Sequence, residues 1–371
     1  NINMLISKNK FNNKKVVIFG ANGPAIMICG YLRIKGLEVN FIIDNDKAKE
    51  GSLLEGVVIK NPDVLNELSS RDVIILCASK YAENMENQVS RLGYIKEENF
   101  FDIIDLERYI KKIESNKEYK SMLSLKDVQQ VSFKMLQYIK KICEEYGLKY
   151  YLCGGTLLGA VRHNGFIPWD DDIDITMPIN DYNKMLTLLS QGGEYTLLTP
   201  KIEGYRWIHA KLIDNKTVAD TLGYPYSTKL GIHIDIFPLY GLPNDDYDRR
   251  EHIKRISNLQ KSMIDQFYRD CNFVDSKFCN IRKKLVKEYE RYNFNESRYV
   301  MRLAVPSEYF TEEIIESKFY AKSIEMRFEN DYFCVPIDYD KILRNLYGDY
   351  NKLPPLEKRR IHHMTAVYWK E

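Results

Sequence analysis

Four carboxylates stand within five residues in the run Trp169-Asp170-Asp171-Asp172-Ile173-Asp174-Ile175. Side by side they repel, so a fold keeps such a run only where something offsets the charge. Solvent does so if Pro168 and Asp170 to Asp172 form an acidic turn. A bound cation does so if the carboxylates converge. The alternation favours the second reading. Asp172-Ile173-Asp174-Ile175-Thr176 has the period of a strand. Asp172, Asp174 and Thr176 then share one face, and Ile173 and Ile175 the other. Two carboxylates on one rigid strand can hold a hard divalent cation through oxygen. Asp172 and Asp174 are therefore candidate metal ligands.

The residues before the acids point to phosphate. Tyr150 to Cys153 reads as a short strand, Gly154-Gly155-Thr156 as a turn, and Leu157 to Arg162 as a helix. A glycine pair lets backbone N–H groups approach a phosphate, and a helix N-terminus adds its positive dipole end. The guanidinium of Arg162 suits a pyrophosphate. A third carboxylate is expected on a neighbouring strand. In Gly231-Ile232-His233-Ile234-Asp235-Ile236-Phe237-Pro238 the three isoleucines share a buried face, so His233 and Asp235 project together on the other.

The run GGTLLGAVRHNGFIPWDDDIDI, Gly154 to Ile175, resembles the LicD family of phosphotransferases. GIHIDIFP, Gly231 to Pro238, is similar to its second signature. LYGDYNKLPP, Leu346 to Pro355, resembles its third, with His362 and His363 following. The resemblance covers about residues 120 to 371. It implies a nucleotidyltransferase-like mixed-sheet domain with helical additions. It also implies transfer of phosphocholine, or a related phospho-alcohol, from CDP-choline or a similar CDP-alcohol to a glycan or glycolipid acceptor at the cell surface. On this reading Asp172, Asp174 and Asp235 hold Mg²⁺ or Mn²⁺, and Asp235 also takes the acceptor's proton. Gly154, Gly155, Thr156, Arg162 and Lys211 meet the donor phosphates. Trp169, His233, His362 and His363 are candidate substrate contacts, although Trp169 is better read as a turn anchor in the core, and His362 and His363 are read at least as well as structural. Two alternatives stay open: a nucleotidyltransferase that releases pyrophosphate from an NTP, and a non-catalytic nucleotide-sugar-binding module.

The first third of the chain lies outside that resemblance. Lys15 to Phe19, Val39 to Asp44 and Val73 to Ala78 read as buried parallel strands, with a helix from Ala25 to Lys35. Strand, helix and strand in this order predict a Rossmann-like domain over 1–116, joined near Lys117 to a catalytic domain over 117–371. A dinucleotide fingerprint needs G-x-G-x-x-G, and here Asn22 takes the second glycine place and Ala25 the third. Gly20, Gly23 and Asp44 thus mark a weak nucleotide site, balanced by a docking domain that binds nothing.

Composition sets the remaining limits. A net charge of +2 over 371 residues gives no general grip on nucleic acid. No apolar run approaches bilayer length, and Asn1 to Lys15 lacks the apolar core of a signal peptide, so the expected compartment is the cytoplasm. The seven cysteines are scattered, which suits free thiols. Leu125 to Tyr146 and Asp181 to Leu189 have helical period. Tyr195 to Thr199 and Trp207 to Ile213 read as strands, and Thr217 to Ala219 is expected to pair back across the turn at Asp214-Asn215. Asp245 to Tyr292 reads as one long helical region. Its Arg282-Lys283-Lys284 is either a solvated face or a contact for an anionic acceptor or a membrane surface.

Overall fold

The computed structural model describes residues 2–77, 79, 81–103, 119–190, 192–202, 205, 207–220, 230–270, 276–302, 314–356, 359 and 366–370. The chain forms two compact units, one built mainly on Asn1–Lys117 and one from Glu118 onward.

The first unit opens with helix α1 (Ile2–Ser7) and strand β1 (Lys15–Phe19), then α2 (Gly23–Ile34) and β2 (Phe41–Ile43). The short β3 (Leu53–Leu54) and β4 (Val57–Lys60) follow, then β5 (Val73–Cys77), α3 (Ala82–Ser90) and β6 (Phe100–Asp102). The sheet order is β3-β4-β2-β1-β5-β6, parallel except for β3 on β4. Its strands are apolar on both faces, because both faces are covered. Val16, Ile18, Ile42, Ile74 and Leu76 pack with Leu32 of α2 on one side. Val17, Phe19, Ile43, Ile75 and Cys77 pack with Val89 of α3 on the other. The two-residue period of a strand thus divides one hydrophobic run between two cores.

The second unit begins with β7 (Tyr119–Met122) and α4 (Leu125–Tyr146). Ser124 and Asp127 close a capping box at the start of α4, and Gly147 ends it in a left-handed conformation. Then come β8 (Tyr151–Leu152), α5 (Gly154–His163), β9 (Ile173–Pro178), α6 (Ile179–Leu189) and β10 (Tyr195–Leu198). They are followed by β11 (Ala210–Asp214), β12 (Thr217–Asp220) and β13 (His233–Leu242). Where one long helical region is expected, two helices form, α7 (Asp246–Asp270) and α8 (Ser276–Tyr289). The rest is β14 (Tyr299–Arg302), β15 (Ile314–Glu316), the β16–β17 hairpin (Ser323–Phe328, Asp331–Pro336), α9 (Tyr339–Tyr347) and β18 (Ala366–Lys370).

The main sheet of this unit is centred on β13 and is mixed. β9 lies parallel to β13, while β11 and β14 run antiparallel to it. β8 extends the β9 side, and β10 and β15 extend the other. Its core includes Ile173, Ile175, Ile234 and Ile236, with Met135 and Ile139 of α4. The expected hairpin of Thr217 to Ala219 does not form. β12 pairs instead with β18, which also pairs with β7. The reason is that β11 already has β10 on one edge and β13 on the other, so no ladder position is left.

Candidate active site

The parallel register of β9 and β13 sets Asp174 directly beside Asp235. On the other side of β13, Lys211 of β11 is the register partner of Asp235. The Lys211 ammonium bonds Asp235 Oδ1, and His209 Nε2 lies 3.4 Å from the same oxygen. Both cation and imidazole are buried, at 3% and 2% exposure. Burial works to raise the Asp235 carboxyl, but the Lys211 ammonium and the His209 and His233 rings hold it well below the usual carboxylate range. Burial works to lower the His209 pKa, against the Asp235 carboxylate, which works to raise it. Asp235 Oδ2 has no hydrogen-bond partner among the described residues.

The acidic turn precedes β9. One carboxylate oxygen from each of Asp170, Asp171 and Asp172 falls within 4.8 Å of the others. Asp171 is buried. Burial, with Asp171 and Asp174 nearby, pushes the Asp170 carboxyl up to about 7. Gln129 of α4 fixes this turn by donating to the Asp170 carbonyl at 2.8 Å. The expected trio Asp172, Asp174 and Asp235 is not the set that gathers within 4.8 Å; the consecutive aspartates are. Asp174 and Asp235 stand instead as a registered pair alongside them.

The glycine turn closes over these acids. α5 takes in the glycine pair, starting at Gly154 itself. Gly154 has φ +54°, and a Cβ there would stand 3.1 Å from Asp174 Oδ2. A Cβ on Gly155 would stand 2.8 Å from Asp170 Oδ2. Glycine is needed at both places because the carboxylates occupy the space of a side chain. Thr156 Oγ1 accepts from the Asp174 backbone N–H at 2.8 Å and so ties α5 to β9.

Arg302, at the end of β14, escaped the sequence reading. Its Nη1 lies 3.3 Å from Cys153 Sγ, and its guanidinium 4.9 Å from the Phe237 ring centre. The pairing of Arg302 with Leu239, 63 positions earlier in the chain, brings it there.

Other expected contacts land elsewhere. Arg162 donates to the Tyr350 carbonyl at 2.7 Å and from Nε to His163 Nε2 at 3.0 Å, which anchors α5 to the segment after α9. Trp169 packs against the core, with His163 edge-on and the Arg359 guanidinium 5.4 Å from its ring. His233 is buried, with Nδ1 3.1 Å from the Gly231 carbonyl. His362 and His363 lie outside the described residues. Arg282 is buried and bonds the Tyr205 carbonyl, so it faces neither solvent nor a membrane. In the first unit, Gly20 and Gly23 flank a helix start that Asn22 caps itself, accepting from Ala25 N at 3.1 Å. Asp44 Oδ2 accepts from Ala21 N at 2.7 Å and pairs with Lys49 at 3.2 Å.

Two family models match. Residues 147–299 match the nucleotidyltransferase domain of LicD/FKTN/FKRP, and residues 12–100 match the N-terminal region of C2185-like proteins. The site described above thus sits in a nucleotidyltransferase domain of this class. Lipopolysaccharide cholinephosphotransferase LicD of Haemophilus influenzae is 30% identical over 272 residues, which is 66% of this chain and 98% of that protein. The chain belongs to the LicD family of phosphotransferases. The ribitol 5-phosphate transferase FKRP of Homo sapiens is 31% identical over 104 residues, 28% of this chain and 19% of FKRP. Among solved structures, UDP-D-quinovosamine 4-dehydrogenase from Vibrio fischeri aligns with 27% of this chain and 86% of its own at 20% identity, with a TM-score of 0.21. No helix among the described residues is long and apolar enough to cross a membrane.

Proposed function

We propose that the second unit transfers a phospho-alcohol, phosphocholine being the first candidate, from a CDP-activated donor to a sugar hydroxyl of a glycan or glycolipid, releasing CMP. The observation that carries this is Asp174 in register with Asp235 beside the glycine start of α5. The 98% coverage of a relative named as a lipopolysaccharide cholinephosphotransferase supports the choice of group and acceptor. In the reaction the acceptor oxygen attacks the phosphorus distal to the nucleoside. The bond from that phosphorus to the bridging oxygen breaks, CMP leaves with that oxygen, and the acceptor's hydroxyl proton passes to solvent.

The residues fit a divalent cation. Burial, with the charges of Asp171 and Asp174, pushes the Asp170 carboxyl up to about 7, and oxygens of Asp170, Asp171 and Asp172 lie within 4.8 Å of one another, a gathering of negative charge that a cation offsets. Oxygen donors suit Mg²⁺ or Mn²⁺. Asp170, Asp171 and Asp172 would hold it, with Asp174 and Asp235 as the registered pair alongside. When bound, such an ion neutralises charge on the donor phosphates and on departing CMP. Asp235 stands beside the ion in this scheme and is not the base, because a carboxylate held so far below its ordinary pKa takes up a proton poorly. Lys211 is read as the support of Asp235, since its ammonium is spent on that carboxylate. A CDP-activated donor is made where CTP is, so the cytoplasm is the compartment this reading implies.

For the first unit we favour a Rossmann-like docking domain over a dinucleotide site. Asn22 already satisfies the start of α2, and Asp44 is spent on Ala21 and Lys49.

The test is to incubate the protein with CDP-choline and Mg²⁺, with and without EDTA, and follow CMP. Metal-dependent CMP release is expected, with Asp174→Asn slower by on the order of 100-fold while still folded. Release of pyrophosphate from CTP, with no CMP from any CDP-alcohol, would identify a nucleotidyltransferase instead. Donor binding that needs no metal and leads to no turnover would identify a binding module.

A further inference from the structure

We propose that Glu329, at the turn of the β16–β17 hairpin, is the positioning residue that seats the acidic turn beside the glycine start of α5. This deepens the phosphotransfer reading and rests on its metal site. That site is divided between two pieces of backbone. The glycine pair opens α5, and Asp170, Asp171 and Asp172 come only after α5 has ended at His163. The link between them, Asn164 to Trp169, lies in no helix or strand. A link without a ladder of its own takes its position from partners outside it.

The hairpin supplies those partners. The Glu329 N–H donates to the Asn164 carbonyl at 2.8 Å, and Glu329 Oε1 accepts from the Phe166 N–H at 3.0 Å. Glu329 thus holds the link on both sides of Gly165. Gly165 is threaded between hairpin and helix with no room for a methyl group. A Cβ there would collide with Glu329 Oε1 and stand 2.9 Å from its Cδ. On the helix side, a Cβ on Gly159 would stand 2.5 Å from the Gly165 carbonyl oxygen. Helix, link and hairpin turn are therefore stacked without a gap, and glycine at 159 and 165 lets them meet. Phe166 lies edge-on to the buried Phe328, with 4.9 Å between ring centres, which closes the same contact with apolar surface. Arg327 Nε donates to the Glu329 carbonyl at 2.9 Å and steadies the hairpin turn.

The hold on the link reaches the acids within a few residues. The Asp170 N–H donates to the Ile167 carbonyl at 2.9 Å, so the turn that carries the first aspartate is built on the residue after Phe166. Gln129 of α4 holds the other end through the Asp170 carbonyl at 2.8 Å. Glu329 is exposed, so it buries little surface of its own. Its contribution is one carboxylate oxygen spent on one main-chain N–H. Such a bond adds little to the stability of the whole unit, and its loss is felt where the backbone it fixed carries the metal ligands.

The experiment titrates Mn²⁺ by calorimetry into the wild type, Glu329→Ala, Glu329→Gln and Gly165→Ala, with thermal melts of the metal-free proteins alongside. Asp171→Asn marks which binding event belongs to the acidic turn. Affinity at that event should fall about tenfold in Glu329→Ala, the loss expected when the support of a metal ligand is removed, while the melting temperature drops only slightly. Glu329→Gln keeps an oxygen for the Phe166 N–H without the charge, and should bind Mn²⁺ within about threefold of the wild type. Gly165→Ala, whose methyl displaces the carboxylate, should behave as Glu329→Ala does. Affinity within about twofold of the wild type in Glu329→Ala, or in Gly165→Ala if the first variant does not fold, overturns the assignment of Glu329 alone. Equal losses in Glu329→Ala and Glu329→Gln overturn it as well, because the metal would then be responding to the charge and not to the hold on the link. A wild type that binds no Mn²⁺, or binds it unchanged in Asp171→Asn, overturns the metal reading and this inference with it.

Discussion

A carboxyl that keeps its proton to about pH 7 sets a measurable condition on the fold, and Asp170 is such a group. Its folded value lies above its ordinary 3.8, so between those values the native chain holds a proton that the unfolded chain has lost. Its contribution to stability is therefore full below the lower value and is lost as pH rises through about 7. In EDTA, thermal melts should gain stability as pH is lowered from about 8 toward 5. Asp170→Asn should flatten that slope, and saturating Mn²⁺ should remove it by favouring the ionised form. Equal slopes in wild type and variant would show that Asp170 is not the group responsible. Gly154→Ala tests the neighbouring residue. An alanine at φ +54° costs about 1–2 kcal/mol of backbone strain, and its Cβ meets Asp174 Oδ2 at 3.1 Å. Turnover should drop more than this loss of stability accounts for, and near-normal turnover would count against the turn as a phosphate seat.

At the scale of the element, α4 shows what local chemistry alone decides. Its capping box and its Gly147 stop are contained in short runs of sequence, and its bounds, Leu125–Tyr146, are those that the periodicity predicts. Ser124→Ala should cost about 1 kcal/mol, read as a lower melting temperature, and leave turnover unchanged, because the cap touches none of the acids. The acid-bearing strands β9 and β13 were legible for the same reason, since alternating isoleucines and aspartates specify a half-buried strand wherever it lies. Partners chosen across the sheet were not legible. That Lys211 would be spent on Asp235, that Arg302 would arrive beside Cys153, and that Thr217 would leave β11 for β18 all follow from which strand edges were already occupied. Periodicity assigns a residue to a face. It does not say which strand will be its neighbour.

At the scale of the whole molecule, each unit has hydrophobic clusters of its own. Leu32 of α2 is fully buried in the first unit, far in sequence from the acids. Leu32→Ala should destabilise that unit by about 2–5 kcal/mol. Calorimetry of the full chain should then show one transition moved down and a second unmoved, with turnover preserved at temperatures below the first. A single transition that shifts as a whole would mean that the units unfold together.

The small sheet of β7, β18 and β12 has a further consequence. The strand by which the chain enters the second unit, Tyr119–Met122, lies beside Ala366–Lys370, the strand with which its described residues finish. The first and last described strands of this unit are thus stitched at one seam, with β12 as the third thread. A unit closed in this way behaves as a cassette. A segment spliced ahead of Tyr119 joins the strand of this small sheet, while β9 and β13 belong to a different one. Such a seam lets a lineage exchange the leading domain while the acids of the catalytic sheet keep their spacing.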